Sequence, residues 1–420
     1  VRSPREAREL LMPGATNPSP GACAARPRQA VILAGGRGTR LLPLTETTPK
    51  PMIAFHGRPF LEYLVEQART AGFARVLLLL GYLPQVVMDH FGDGSRFGVE
   101  ITYSVTDVDN DTGTRLRLAK DLVEDEFLLL YCDNYCPVDF DALNAQWRAS
   151  GAPAQVVVYA NEDGWTKDNL RVEDGLVAVY DKSRATPGLK GVDIGYFLLK
   201  KEVLELIPEE NVNFERAVYP TLVAQRRLAA FTTRHRYYSV GDFRRLPLTE
   251  AFLKRRPAVI LDRDGVLNIK APRACYVTRP EQFAWVEGSL EAVRLLKEAG
   301  WLVLVVSNQA GIARGAMTQA DLEAVHAKML ADLAAVGAGI DQIYVCPHGW
   351  DEGCDCRKPK PGMLFSAQRD HSLDLSRTPF VGDDERDVEA GRAAGCPTIL
   401  VTESRRLLDV VRQDLLGARP

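Results

Sequence analysis

Short apolar runs recur along the chain at lengths that suit strands buried on both faces of a parallel sheet. One run, residues 30–33, leads into a glycine-rich turn; others fall at 75–80, 100–104, 127–131 and 155–159. Between them lie stretches such as 60–71, whose apolar positions return with a helical period. This alternation predicts an α/β domain with helices on both faces of a mostly parallel sheet. A polar, hairpin-rich stretch at 169–199 breaks the alternation, as an inserted substrate subdomain would.

The same grammar starts again after the charged segment Phe252-Leu253-Lys254-Arg255-Arg256-Pro257. A strand at 258–261, a helix at 289–299, a strand at 301–306, a helix at 318–335 and strands at 342–345 and 379–381 describe a second sheet. A chain of 420 residues exceeds the size at which one hydrophobic core usually keeps growing. The pattern therefore divides into an N-terminal extension at 1–28, a domain at 29–252, a linker at 253–257 and a second domain at 258–420. Both domains read as doubly wound, Rossmann-like α/β folds. The extension, with Arg2, Arg5 and Arg8 ahead of a Pro/Gly/Ala-rich run, reads as disordered.

Charge narrows the partners. With 52 basic against 55 acidic side chains, the net charge of −3 gives no electrostatic case for nucleic acid or an anionic membrane. Phosphate binding must be local, so small molecules are the expected partners, with a homo-oligomer left open. No apolar run approaches the roughly 18–20 residues that cross a bilayer, and the chain reads as soluble. Eight cysteines are too few for a disulfide scaffold, and three of them crowd with a histidine into eleven residues. That points to metal in a reducing compartment, the cytoplasm.

The first candidate site follows the strand at 30–33. Gly35, Gly36 and Gly38 let backbone N–H groups approach a polyphosphate, while Arg37, Arg40 and, in Thr48-Pro49-Lys50-Pro51, Lys50 supply compensating charge. These residues, with Gly81-Tyr82, Asp133, Asp181-Lys182, Asp193-Ile194-Gly195 and Phe214-Glu215, resemble the sugar-1-phosphate nucleotidyltransferases, especially the mannose-1-phosphate guanylyltransferase-like branch, over about residues 30–250. The resemblance implies attack of a sugar 1-phosphate on the α-phosphorus of a nucleoside triphosphate. It assigns Gly35 to Thr39 to the nucleotide, Arg40 and Lys50 to the transferring group, Asp133 to Mg²⁺, and Lys182 and Gly195 to the sugar substrate. One departure stands out: Ser239, in Tyr238-Ser239-Val240-Gly241-Asp242, occupies the position of a second acidic metal ligand, with Asp242 three residues on. GDP is the expected nucleotide on that resemblance alone, since 106–117 departs from the pattern with which relatives read the base.

The second candidate site opens at Asp262-Arg263-Asp264-Gly265, after the strand at 258–261. Two carboxylates there suit a nucleophile and a general acid/base. With Ser307, Lys358 and Gly382-Asp383-Asp384, each after its own strand, the pattern resembles the haloacid-dehalogenase-like (HAD-like) phosphatases over about 257–405. The resemblance makes Asp262 the nucleophile and Asp264 the acid/base, gives Ser307 and Lys358 to the phosphoryl group, and assigns Mg²⁺ to Asp262, Asp264 and Asp383 with Asp387 as helper. Cys346, His348, Cys354 and Cys356 fill the four positions of a structural Zn²⁺ site. That loop, with Ser307 to Gly315, is similar to the D-glycero-D-manno-heptose 1,7-bisphosphate phosphatase branch, histidinol phosphatase being the nearest alternative. Asn308, Arg314 and Arg357 are the expected substrate-binding groups. Removal of a 7-phosphate leaves a heptose 1-phosphate, the substrate class of the first domain, so the fusion makes chemical sense. A first domain that only binds sugar nucleotides is the alternative that Ser239 supports. His56, His90, His235, His326 and His371 read as surface or packing residues, as do Cys132 and Cys136; Cys23, Cys275 and Cys396 are isolated.

Overall fold

The computed structural model describes residues 26–272 and 274–417. Most of the 1–28 extension, Cys23 included, lies outside them. Two sheets organise the chain. The first runs Glu100–Val105, Arg75–Leu80, Gln29–Ala34, Glu126–Tyr131, Val192–Lys200, Ala154–Tyr159, Leu228–Thr233, Leu176–Tyr180, Leu170–Glu173 in spatial order. Its first four strands are parallel, with Gln29 level with Arg75 and Phe127. The second runs Gln342–Cys346, Leu302–Asn308, Ala258–Asp262, Phe380–Gly382, Thr398–Leu400 and is parallel throughout.

Continuous apolar strands are required because both faces of each sheet are covered. Val31, Leu33, Leu77 and Leu79 face one core, while Ala30, Ile32, Leu78 and Leu80 face the other. The second sheet repeats this, with Val259 and Leu261 on one side and Ala258 and Ile260 on the opposite side. The helix Gln319–Ala335 begins where Thr318 and Asp321 cap each other's backbone N–H, satisfying donors that would otherwise have no partner. Among the described residues no helix is long and apolar enough to cross a membrane.

The stretch 169–199 departs from expectation. It is not a separate insert: Val192–Lys200 lies in the middle of the first sheet, antiparallel to both Glu126–Tyr131 and Ala154–Tyr159. Ile194 to Leu199 are buried on both faces, which is why the segment belongs to the core rather than to a polar appendage.

The two sheets are docked by the segment after Leu228–Thr233 and the helix Gly362–His371. Gln368 donates to the Tyr238 hydroxyl at 3.1 Å, Arg236 donates to the Arg369 carbonyl at 3.2 Å, and Arg234 lies 5.0 Å over the Phe365 ring. His235 is 4 % exposed; its Nε2 accepts from the Leu375 N–H at 3.3 Å, leaving Nδ1–H to donate to the Arg236 carbonyl. His235 is thus a packing residue between the domains, and burial holds its pKa below the ordinary value of 6.5 despite the pull of Asp374. Below about pH 6.5 the unfolded chain takes up a proton that the folded imidazole refuses, so this site loses stability as pH falls. The melting temperature of the wild type is expected to drop more between pH 7 and pH 5 than that of His235→Gln; equal pH slopes would contradict a buried neutral imidazole.

Candidate active sites

The first site forms where Gln29–Ala34 and Glu126–Tyr131, adjacent parallel strands, end side by side. Ligands of such sheets bind beyond the carboxyl ends of the strands. Gly36, Arg37, Thr39 and Arg40 are exposed there. Gly38 has φ of +66°, and a Cβ on it would come within 2.9 Å of the Lys50 Cβ, so glycine lets the loop close on the lysine. Lys50 Nζ lies 2.7 Å from an Asp133 carboxylate oxygen. Burial works against both charges, yet Asp133 keeps the Lys50 pKa above its ordinary value and Lys50 holds the Asp133 carboxyl below its own. Arg37 pairs with Asp109 at 3.0 Å on the surface.

The residues expected to bind the sugar substrate gather nearby in the fold. Gly195, with φ of +77°, leaves room for Tyr131, whose ring a Cβ would reach at 2.7 Å. Lys182 is exposed, its ammonium 3.9 Å from the buried Glu215. Asp193 accepts from Tyr219 at 2.6 Å, and burial followed by the Glu215 charge pushes it up to about 7. Ser239 pairs with Asn134 across a short antiparallel ladder, and Val240 N–H donates to the Asp133 carbonyl at 2.9 Å. The serine therefore lies in the strand held against Asp133, without a charge to offer. Asp242 is turned to cap the Arg244 N–H at 2.9 Å.

The second site lines a cleft of about 860 Å³ bordered by Asp262, Asp264, Ser307, Lys358, Arg357 and Lys270. Lys358 is its hub, fully buried, with Nζ 2.7 Å from both Asp262 and Asp387. Burial, together with the Asp387 and Asp264 charges, pushes Asp262 up to about 7 against the pull of Lys358. Asn308 accepts from the Lys358 N–H and donates to its carbonyl, both at 3.0 Å. Its amide thereby holds the lysine, while Asn308 also lines the cleft. Arg357 faces the cleft, whereas Arg314 stacks 4.8 Å over the Trp350 ring.

Two groups of side chains suit metals. Carboxylate oxygens of Asp262, Asp383 and Asp387 lie within 4.8 Å of one another, and Asp383 Oδ1 is buried without a protein partner among the described residues. Hard oxygen donors with an unused lone pair fit Mg²⁺. The Asp264 carboxylate is not in this group: Arg263 holds both its oxygens at 2.9 Å, and Asn268 and Gln309 donate to it at 3.0 and 2.8 Å. Elsewhere, Cys346 Sγ lies 3.7 Å from Cys354 Sγ and from His348 Nδ1, which is 3.2 Å from Cys356 Sγ. Metal–sulfur bonds of about 2.3 Å in a tetrahedron give edges of about 3.7 Å, so these spacings fit a four-coordinate soft-ligand site.

Three residues around Asp264 went unassigned in the sequence: Arg263, Gln309 and His326. Burial pushes the Asp264 carboxyl up, but Arg263 and the amide donors hold it below its ordinary value. His326 Nε2 lies 3.2 Å from Arg263 Nη1. Burial and the arginine lower the His326 pKa to about 4, so the ring is neutral and accepts. Of the two readings, surface or packing, His326 takes the second, packed against Arg263. Arg263 and Gln309 sit inside the quoted motifs, but His326 comes from the distant helix Gln319–Ala335, and no local spacing marks it.

Family comparisons assign residues 29–235 to the nucleotidyl transferases and 355–414 to the HAD-hydrolase-like proteins. The chain is 46 % identical to the D-glycero-beta-D-manno-heptose-1,7-bisphosphate 7-phosphatase of Pseudomonas putida over 143 residues, 34 % of this chain and 81 % of that protein. It is 41 % identical to the D-glycero-alpha-D-manno-heptose-1,7-bisphosphate 7-phosphatase of Campylobacter jejuni, covering 37 % of this chain and 88 % of the relative. Among solved structures, the D,D-heptose 1,7-bisphosphate phosphatase of B. bronchiseptica, complexed with magnesium and phosphate, is 39 % identical over 39 % of this chain and 99 % of its own, with a TM-score of 0.36.

The Lys358 hub makes a measurable demand. Removing one partner of a buried ion pair typically costs about 3–5 kcal/mol, because the remaining charge has neither water nor a counterion. Lys358→Met is expected to lose stability of that order in urea unfolding without added divalent ions. The loss should be larger at pH 8 than at pH 5, where protonating one carboxyl relieves Asp262 and Asp387; a variant as stable as wild type at pH 8 would refute the arrangement.

Proposed function

The chain belongs to the D-glycero-D-manno-heptose 1,7-bisphosphate 7-phosphatase family, joined to a nucleotidyl transferase domain, and on that premise we propose that it carries out two successive steps toward a nucleotide-activated heptose. The observation that carries this reading is the presence, on one chain, of the Lys358–Asp262 centre and the Lys50–Asp133 centre. The product class of the first is the substrate class of the second.

In the first step a carboxylate oxygen of Asp262 attacks the phosphorus of the 7-phosphate. The phosphorus–oxygen bond to the sugar breaks as the aspartyl-phosphate forms, and the departing alkoxide takes a proton from Asp264. Asp264 must take that proton up as the negatively charged substrate binds, since Arg263 and the amide donors keep it ionised in the free site. Water then gives its proton to Asp264 and splits the acyl phosphate, releasing inorganic phosphate and restoring Asp262. Lys358 offsets the charge between nucleophile and phosphoryl group, Ser307 hydrogen-bonds it, and Arg357 faces the rest of the substrate. Mg²⁺ held by Asp262, Asp383 and Asp387 would supply further charge neutralisation. Zn²⁺ on Cys346, His348, Cys354 and Cys356 would be structural, with no ligand position left for water.

In the second step an oxygen of the 1-phosphate attacks the α-phosphorus of a nucleoside triphosphate, and the bond to the β-phosphate breaks with release of pyrophosphate. Such transfers depend on positioning and charge neutralisation, which Arg40, Lys50 and the Gly36–Thr39 backbone can supply. Lys182 suits the sugar phosphate and Gly195 the sugar. Asp133 would hold Mg²⁺ together with triphosphate oxygens, since Mg²⁺ often binds through one carboxylate plus substrate phosphates. GDP-heptose is the proposed product, on the resemblance to the guanylyltransferase-like branch. Thiols spaced for a metal rather than for disulfides support a cytoplasmic setting.

Two substitutions separate the activities. Asp262→Asn is expected to lower phosphate release from the bisphosphate on the order of 10³-fold or more, while leaving pyrophosphate release from supplied heptose 1-phosphate and GTP unchanged. Lys50→Met should do the reverse, lowering pyrophosphate release roughly 10²- to 10³-fold. Wild-type protein that releases phosphate but no pyrophosphate with any triphosphate would instead show a silent first domain and point to Ser239. Elemental analysis is expected to find one zinc per chain, absent from Cys354→Ser together with a lowered melting temperature; a zinc-free wild type, purified without chelators, would sink the structural-zinc assignment.

A further inference from the structure

Arg115, in the helix Thr112–Leu118, is 3 % exposed and, among the described residues, has no carboxylate in hydrogen-bond contact. Its Nη1 donates to the Leu80 carbonyl at 2.8 Å and the Thr106 hydroxyl at 2.6 Å. Its Nη2 donates to the carbonyls of Val108 at 3.0 Å and Gly35 at 3.3 Å. Burial lowers its pKa, with only the more distant Asp107 and Asp111 opposing, but an arginine remains charged at any ordinary pH. A buried cation held by neutral oxygens alone costs stability, so its retention calls for a role.

The surroundings are built around this guanidinium. A Cβ on Gly35 would lie 2.4 Å from its Cζ, and a Cβ on Gly81 would lie 2.4 Å from its Nη1. These two glycines end adjacent strands and leave space for Arg115, not for a ligand. Gly36 differs, being exposed, with nothing within 4 Å of a Cβ built there. The Gly35 carbonyl points inward to Arg115 and also accepts from the Tyr82 N–H at 3.0 Å. In a trans peptide the C=O and the following N–H point in opposite directions. With the Gly35 oxygen fixed inward, the Gly36 N–H is turned toward the open side of the loop.

We propose that Arg115 is a positioning residue of the nucleotide site: it locks the Gly35–Gly36 peptide so that the Gly36 N–H faces the triphosphate, and adds fixed positive charge behind the loop. The inference rests on the nucleotidyl-transfer reading above. An oriented N–H with a cation behind it favours an anion in the same way as the amides of a helix N-terminus. Gly35, one of the glycines expected at the nucleotide, thereby serves the loop through the arginine beneath it.

The test uses the full-length protein, Arg115→Lys and Arg115→Ala, with phosphatase turnover on the same chain reporting that the second domain remains folded. Binding of a non-hydrolysable GTP analogue with Mg²⁺ is measured by calorimetry, with and without added guanidinium ion. Charge-assisted hydrogen bonds of this kind predict a Kd raised roughly 10- to 100-fold in Arg115→Ala. Guanidinium ion should recover part of that loss, and Arg115→Lys should fall between. Equal affinity in Arg115→Ala and wild type overturns the inference alone. So does a loss that guanidinium fails to restore and lysine fails to lessen, which marks a packing role. Wild-type protein that binds none of the nucleoside triphosphates overturns the transfer reading and this inference with it.

Discussion

A lysine ammonium buried against strand-end carboxylates is the constraint on which both halves of this molecule depend. Lys50 meets Asp133 in the first domain, and Lys358 meets Asp262 and Asp387 in the second. Carboxylates at the ends of adjacent parallel strands would repel one another and any phosphate brought to them. A lysine within hydrogen-bond reach offsets that repulsion without substrate and leaves positive charge where the proposed reactions need a phosphoryl group. The hydrophobic sheets serve this arrangement: strands packed on both faces hold their terminal residues in place far more firmly than loops could.

The docking helix gives the two centres a common support. Gly362–His371 begins four residues after Lys358, and its far turn carries Gln368, which holds Tyr238 next to Ser239. Tyr238 is stacked on Phe252 at 3.9 Å between ring centroids, so the strand beside Asp133 is wedged between an aromatic ring and the phosphatase domain. Domain docking therefore braces the strand that pairs next to Asp133.

Much of this was legible in the sequence because the two kinds of signal are local. Runs such as Val76 to Leu80 declare strands buried on both faces, and the Asp262-Arg263-Asp264-Gly265 turn declares chemistry at the end of one. What escaped detection depends on the third dimension. Val192–Lys200 joined the centre of the sheet although it follows a polar hairpin, because pairing partners rather than sequence neighbours decide where a strand lies. Thr398–Leu400, only three residues long at an edge, has too few positions to show a period. That Asn308, which lines the cleft, also holds the Lys358 backbone with both ends of its amide could not be read from its position in the sequence. His326 and Arg115 looked ordinary because their partners lie far away along the chain or are backbone carbonyls, which carry no mark in a sequence.

Phosphorus-31 NMR of the wild-type protein with Mg²⁺ follows the whole reaction most directly, starting from α- or β-D-glycero-D-manno-heptose 1,7-bisphosphate and adding each nucleoside triphosphate in turn. The account predicts that the 7-phosphate signal of one anomer gives way to inorganic phosphate while the 1-phosphate persists, and that GTP then converts the 1-phosphate to a diphosphate diester with pyrophosphate. A bisphosphate left intact in both anomers, or one that loses its 1-phosphate first, would contradict it.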